Sequence, residues 1–532
     1  MTGSDYVLTR SLVIALLLAV LLTVVVAPAL VSAYRRKVTV SMNRAAQAAA
    51  LRSSAAPLPT GPVWWPPAGY GYRQLPRVAP GAAILADPRR QELALQTRRT
   101  LNRLAIAYGC GGAAQATVLT LFVLLGGPNV YTRPLIWVSV WLVMALPVAA
   151  TVAYVLSARP AVRALWLAAA LVVALILSGE ARGLVWAVFL PYILLPAALF
   201  LLFNLRYWRA TAPLVLVLAL GGSLGWLVLV EIGKLAVDEG LALWCFRLLG
   251  LAAGVLLALP VARGIGRSYQ ARRTSEQMLF VDAWWALLTS VQTTVLVIMS
   301  EQVGKVLAFL GFVVYLLVSR ALLHGLQTDR PPAARLLLLR VFGHGRRTER
   351  LLDELTQRWR SFGTVDQIAG RDLALRNIDP SEFYTFLSGR MDREFVHGPA
   401  DLDQRLARRD DRPDPDGRYR VNQFFCHVDT WQLTLNRLVD ESEAVLMDLR
   451  GFDEHRAGCQ YEIARLAEHA GTRPIVLLVD ADTNLDLAEA IFCGAAQRRP
   501  PANSQVFILP VGPSDRSTVE TAIALLLNGR PA

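Results

Sequence analysis

The segment AVLMDLRGFDEHRAGCQYEIARLAEHAGTRPIVLLV, residues 444–479, decides how the C-terminal part of this chain folds. Two short runs, Ala444–Leu449 and Pro474–Val479, are apolar almost throughout, and a helical pattern around Gly458–His469 lies between them. A strand apolar at successive positions, rather than at every second one, must be covered on both faces. A helix joining two such strands is the connection that a parallel sheet requires. Outward from this segment the same signature recurs. Arg335–Phe342 (RLLLLRVF) leads into an amphipathic stretch at Thr348–Ser361, Val365–Ala369 is a second short run, and Gln505–Val511 (QVFILPV) is the last. Five such strands separated by helices predict a doubly wound, flavodoxin-like α/β domain over residues 330–532. The piece between the second and third strands, residues 373–442, has a helical pattern around Pro380–Phe395. It also holds a charged, turn-rich loop at Arg408–Arg420, and it reads as an insertion.

N-terminal to this domain the composition is different in kind. Of the 532 residues 54% are hydrophobic and only 18% charged, and the mean hydropathy is +0.40. A soluble protein carries about 25% charged residues, so a wholly soluble or disordered chain is excluded. The run Leu12–Ala33 is long enough to cross a bilayer, for which ~20 residues are needed. Val31-Ser32-Ala33 resembles a signal-peptide cleavage site. The basic Tyr34-Arg35-Arg36-Lys37 that follows directly is instead the charge order of an uncleaved anchor. With further runs at about 104–127, 134–157, 161–178, 183–203, 211–231, 241–261, 278–299 and 303–323, the sequence predicts about nine spans. The expected parts are an anchor at 1–33, a linker at 34–103, a multi-span region at 104–325 and the cytoplasmic domain.

The loops give the orientation. Segments 34–103, 158–163, 204–210 and 262–277 together hold 20 Lys and Arg, against Arg10, Arg133, Arg182, Lys234 and Lys305 in the opposite set. The positive-inside rule then predicts an outward N-terminus and a cytoplasmic C-terminal domain of a multi-pass cell-membrane protein. This asymmetry accounts for part of the net charge of +13 without nucleic acid as a partner. Glu231, Lys234, Asp238, Glu239, Glu180 and Arg182 fall at run ends and read as loop charges, which disfavours a transporter. Pro57–Pro80, rich in Pro and aromatic residues, reads as an extended, poorly ordered linker. Five cysteines without paired spacing give neither a disulfide framework nor a zinc motif.

In an open parallel sheet, ligands bind outside the carboxyl ends of the strands. That rule selects Gly343, His344, Gly345 and Arg346 after the first strand and Arg371 after the second. After the third it selects Asp448, Arg450 and Asp453, and after the fourth Asp482. Glycine, arginine and a helix start together suit an anion such as a phosphate. The same glycines also serve simply to end strands, and the spacing around Gly343 is not that of a Walker loop. Aspartates at strand ends double as turn and cap residues. Cys426-His427 and Cys459 raise a thiol nucleophile, although small buried cysteines are the commoner use.

The central strand Ala444–Leu449 followed by Gly458-Cys459-Gln460-Tyr461-Glu462-Ile463 resembles the TIR (Toll/interleukin receptor) domain family. TIR domains carry a similar Trp-Cys-x-x-Glu-Leu helix start after that strand, and Glu462 falls on the acidic position. Pro474–Val479 and Gln505–Val511 match the two later strands and Arg335–Gly345 the opening strand and loop. Ala457-Gly458 departs from the family's Ser-x-Trp approach. The segment Asp448–Glu462 is also similar to nucleoside deoxyribosyltransferases. The resemblance implies a glutamate that breaks an N-glycosidic bond, with NAD or a related nucleotide as substrate or ligand, no required cofactor, and a role in signalling or defence. It equally implies a non-enzymatic module that self-associates. A glutamate in the first turns of a helix is also favoured by the helix dipole without any chemistry.

Overall fold

The computed structural model describes residues 25–26, 28–42, 75–82, 88–125, 134–156, 212–236, 241–300, 307–324, 334–340, 346–369, 380–427, 429–495, 505–512 and 515–528. The chain divides into two compact units. One comprises Met1–Tyr34, Arg99–Gln327 and Ile378–Tyr384, and the other Arg35–Arg98, Thr328–Asn377 and Thr385–Ala532.

The first unit is helical. Its elements are α1 (Pro88–Leu125, shared with the second unit), α2 (Pro134–Val155), α3 (Ala212–Ala236), α4 (Leu241–Gln270), α5 (Glu276–Ser300) and α6 (Leu310–Leu323). Among the described residues four helical stretches are long and apolar enough to cross a membrane: Leu95–Leu125, Pro134–Val155, Pro213–Val230 and Leu241–Gln270. The expected span at 303–323 is represented by a shorter apolar helix, Leu307–Leu323. The expected spans at 161–178 and 183–203, most of the first, and the loop charges Glu180, Arg182, Asp238 and Glu239 lie outside the described residues.

Helices α3 and α4 meet backbone to backbone. A Cβ added at Gly225 would stand 2.1 Å from the carbonyl oxygen of Gly250, and one at Gly254 2.0 Å from that of Gly221. Small residues let helices approach closely where no hydrophobic effect drives them together. Helix α5 carries several of the buried polar residues of this unit, among them Thr289, Gln292 and Thr293. Gln115 donates to Thr289 Oγ1 at 2.7 Å, and Tyr315 donates to Asp282 at 3.0 Å while Arg320 pairs with the same carboxylate. These pairings join α5 to α1 and α6, which hydropathy alone does not show, while Gln115 Oε1 is buried with no hydrogen-bond partner among the described residues.

The second unit is built on a parallel sheet of seven strands: β1 (Leu336–Arg340), β2 (Val365–Ala369), β3 (Phe395–Val396), β4 (Val421–Cys426), β5 (Ala444–Asp448), β6 (Ile475–Val479) and β7 (Val506–Pro510). Their order is β3-β4-β2-β1-β5-β6-β7, with every pairing parallel. The helices are α7 (Arg346–Trp359), α8 (Pro380–Leu387, shared with the first unit), α9 (Pro399–Ala407), α10 (Trp431–Glu441), α11 (Ala457–Ala467), α12 (Leu485–Ala495) and α13 (Asp515–Asn528). Alternate residues of each strand enter different cores. Leu337, Val445, Leu477 and Ile508 face α10, α11 and α12, while Leu336, Leu446, Leu478 and Leu509 face α7 and α13. Burial on both faces is the reason these strands are apolar throughout.

Two sequence expectations gain detail here. Residues 373–442 include β3 and β4, which extend the sheet beyond β2. The charged loop within them is fixed by ion pairs. Arg420 holds the buried Asp414 at 2.9 Å, and Arg409 holds Asp366 of β2 at 3.1 Å and also pairs with Glu441. Burial pushes the Asp414 carboxyl up to about 7 despite Arg420. The Pro-rich linker is likewise not loose along its whole length, because residues 75–82 pair with the β7 edge.

Candidate functional site

The chain runs from β1 to β2 on one side and, after β4, returns to place β5 on the other side of β1. The strand order therefore reverses between β1 and β5, where Arg340 is in register with Asp448. Open α/β sheets form their ligand crevices at such a point, beyond the carboxyl ends of the strands.

Beyond β5 the rim is held by backbone-directed hydrogen bonds. Asp448 is buried and accepts from Arg450 three times: from the backbone N–H at 3.2 Å, from Nε at 2.8 Å and from the terminal nitrogen at 2.7 Å. Both side chains are at most 5% exposed. This bidentate pair fixes the turn at Gly451, whose φ of +63° favours glycine. The loop after β6 is tied to it. Asp480 Oδ1 accepts from the N–H of Gly451 at 3.0 Å and of Asp482 at 3.2 Å, and lies 2.8 Å from the Thr483 hydroxyl. The N–H of Asn484 donates to the carbonyl of Phe452 at 2.8 Å. The loops after β5 and β6 therefore form one rim.

Helix α11 rises from this rim. Asp453 accepts from the N–H of His455 at 2.9 Å and lies near Arg456, so it acts as a turn residue at the helix start. One turn on, Cys459, Glu462, Ile463 and Leu466 share the buried face. Glu462 is 7% exposed, and its Oε2 has no hydrogen-bond partner among the described residues. Burial pushes its carboxyl up to about 8, so at neutral pH it is largely protonated. Burial, and after it the neighbouring Glu462, pushes the Cys459 thiol up to about 12. Cys426 is likewise pushed up to about 12 by burial, so neither thiol is a ready nucleophile.

The sequence-selected residues thus divide. Asp448 ends β5, Arg450, Asp453 and Asp482 lie on the loops after β5 and β6, and Glu462 lies midway along α11. Asp448 and Arg450 engage each other, Asp453 serves the helix start, and Asp482 is exposed. Gly343, His344, Gly345 and Arg371, and the side chain of Arg346, lie outside the described residues. The strand-end rule also takes in Asp480 after the fourth strand, but sequence reasoning passed over Thr483, which with Asp480 joins the two loops. Their legible signal was an Asp and a Thr spaced as an Asx-type turn directly after a strand. It raised Cys426-His427 at the end of β4 but passed over His397 beyond β3: the His427 ring stacks on Phe395 at 5.0 Å and lies 5.3 Å from the His397 ring. Burial, then His397, holds the His427 imidazole below its usual value. Among the described residues no group of three His, Cys, Asp or Glu side chains is placed to hold a metal ion.

Comparison with protein-family models, curated proteins and solved structures gave no match.

Proposed function

We propose that the sheet unit is a flavodoxin-like, TIR-like domain held at the cytoplasmic face of the cell membrane by a region of about nine spans. In this reading it binds NAD or a related nucleotide and cleaves its N-glycosidic bond. The observation that carries the reading is Glu462, a buried carboxyl with an unpartnered oxygen midway along α11, the helix that follows the strand beside the order reversal. Setting β3 and β4 aside, the order β2-β1-β5-β6-β7 is the 2-1-3-4-5 pattern of flavodoxin-like sheets, which supports the fold part of the proposal. The loop charges support the orientation.

A raised pKa does not oppose the chemistry. The nicotinamide ring of NAD is cationic, and its approach to a buried carboxyl favours the ionised form, sending the proton to solvent. As the bond from C1′ to the ring nitrogen breaks, its electron pair neutralises the ring and the positive charge passes to the ribosyl centre. The Glu462 carboxylate stabilises that centre until water adds and gives up its proton. The intact chain in detergent should then release nicotinamide from NAD, and Glu462→Gln should lower the rate at least 100-fold while leaving the fold unchanged. Equal turnover in that variant refutes the assignment.

A second reading, a non-enzymatic association module in signalling or defence, has its own support. Asp448 and Arg450 engage each other in a buried pair, and Glu462 shares its helix face with core residues. On that reading Glu462→Gln leaves self-association unaltered and no nicotinamide is released by either protein. Transport or sensing by the spans is a third role, and it would survive removal of the sheet unit.

A further inference from the structure

Helix α4 has two unlike sides. Gly250, Gly254, Ala258 and Ala262 lie on its buried side, where the first two meet α3. Leu249, Leu256, Leu257 and Val261 face outward and are 56–78% exposed. On a helix long enough to cross a bilayer, such an apolar face is the surface that acyl chains cover. The outward side then changes chemistry. Arg263 and Arg267 follow Leu256 by seven and eleven residues, spacings that return to one helix face, and both are exposed. An added Cβ at Gly264, between them, meets nothing within 4 Å, so the space beside the two arginines is open.

Residues 241–275 hold five arginines and no acidic residue. Arg247, toward the other end of α4, lies over the Trp244 ring at 4.4 Å. The side chains of Arg263, Arg267 and Arg273 have no hydrogen-bond or ion-pair partner among the described residues. The helix dipole favours cations only within the last turn, and Arg263 lies before it. The turn that ends α4 adds charge at a backbone cost. The N–H of Arg273 donates to the carbonyl of Ser268 at 2.9 Å and that of Arg272 to Tyr269 at 3.0 Å, which sets Arg272 at a φ of +56°, where glycine is favoured. Depth agrees with this chemistry. The fifteen residues between Arg247 and Arg263 rise about 22 Å, less than the ~30 Å of hydrocarbon. The Arg263 guanidinium must therefore extend to the headgroup layer, with Arg267 one turn further out. We propose that the outward side of α4 from Leu249 to Arg267 binds an anionic phospholipid, its acyl chains on the leucines and its phosphate on Arg263 and Arg267. A guanidinium pair matches a phosphate in charge and geometry. A lipid is the occupant, and not a free phosphate, because the apolar face runs directly into the arginines. The proposal rests on the membrane reading of α4 and is independent of catalysis by Glu462.

The test titrates the intact chain in detergent micelles with phosphatidylglycerol or phosphatidylcholine and counts bound lipid by native mass spectrometry. Wild type should hold phosphatidylglycerol at least tenfold more tightly than phosphatidylcholine, a comparison that needs no variant. The double replacement Arg263→Gln, Arg267→Gln should weaken phosphatidylglycerol at least tenfold, leave phosphatidylcholine unchanged and keep the thermal midpoint. A charge-matched control, Arg350→Gln with Arg408→Gln, removes two exposed arginines of the sheet unit and should change neither lipid. Glycerol 3-phosphate at the lipid's own concentration should not compete. Equal affinity of wild type for the two lipids overturns the site, as does binding that survives the double replacement. An equal loss in the control would show a general response to charge, and competition by glycerol 3-phosphate would show a phosphate site without acyl recognition; either result refutes the proposal. Retention of the chain in membranes washed with alkaline carbonate tests the span reading separately.

Discussion

If Glu462 is buried as a neutral acid, the stability of the sheet unit must fall as pH rises, by an amount the structure sets. The ordinary glutamate value is 4.5, and burial raises it in the folded chain to about 8. Between those values the folded chain holds a proton that the unfolded chain has released. The stabilisation is therefore complete below about pH 4.5, declines through the interval, and is lost above about pH 8. At about 1.36 kcal/mol per pH unit, the interval corresponds to about 5 kcal/mol as an upper bound, because relaxation and water entry reduce it. Asp414, raised to about 7 by burial, slopes in the same direction, so wild type alone does not isolate Glu462. Glu462→Gln does, because it keeps the shape and removes the titration. The assay is hydrogen exchange at Met447 and Val476, in the two central strands, for the intact protein in detergent at pH 5, 6.5 and 8. The stability difference between wild type and Glu462→Gln should shift by several kcal/mol against wild type across that range. A difference constant with pH would show that the carboxyl is hydrated and ionised, and would remove the physical basis for its role.

Two further outcomes follow from packing. Asp448→Asn leaves the Arg450 guanidinium buried without its counter-charge and should cost about 3–5 kcal/mol, whereas the double replacement Asp448→Leu, Arg450→Met should recover most of that loss in thermal unfolding. Gly225→Ile places side-chain atoms where α4 backbone already lies and should lower the thermal midpoint of the helical unit in detergent by several degrees. Gly264→Ala on α4, where nothing lies within 4 Å of an added Cβ, should leave it unchanged or raise it.

The strands legible in the sequence were those in the middle of the sheet. β1, β2, β5, β6 and β7 fall within a residue or two of the apolar runs that announce them, because burial on both faces suppresses polar residues at nearly every position. β4 was not legible. VNQFFC opens with half-exposed Val421, Asn422 and Gln423, and it lies near the sheet edge, where that pressure relaxes. The two residues of β3 are too few to carry any period. Residues 75–82 read as linker because proline punctuates them, and they are ordered by an edge supplied from more than 400 positions away, as the separation of Leu75 from Glu489 shows. The site divides in the same way. The rule that ligands meet the carboxyl ends of strands selected Asp448 and Arg450 from sequence, and the resemblance to TIR domains selected Glu462. Nothing in their spacing said that the first two would neutralise each other or that the third would lose its water.

The amino-acid sequence by itself determined the division into a lipid-compatible helical part and a parallel sheet, since hydropathy and its period are local quantities set by what each residue must bury. The tertiary structure alone decided how many strands join the sheet, what covers its β7 edge, and which carboxyl is left buried without a partner. Those outcomes depend on groups that are distant in the chain and adjacent in space, where desolvation and hydrogen bonding are settled together.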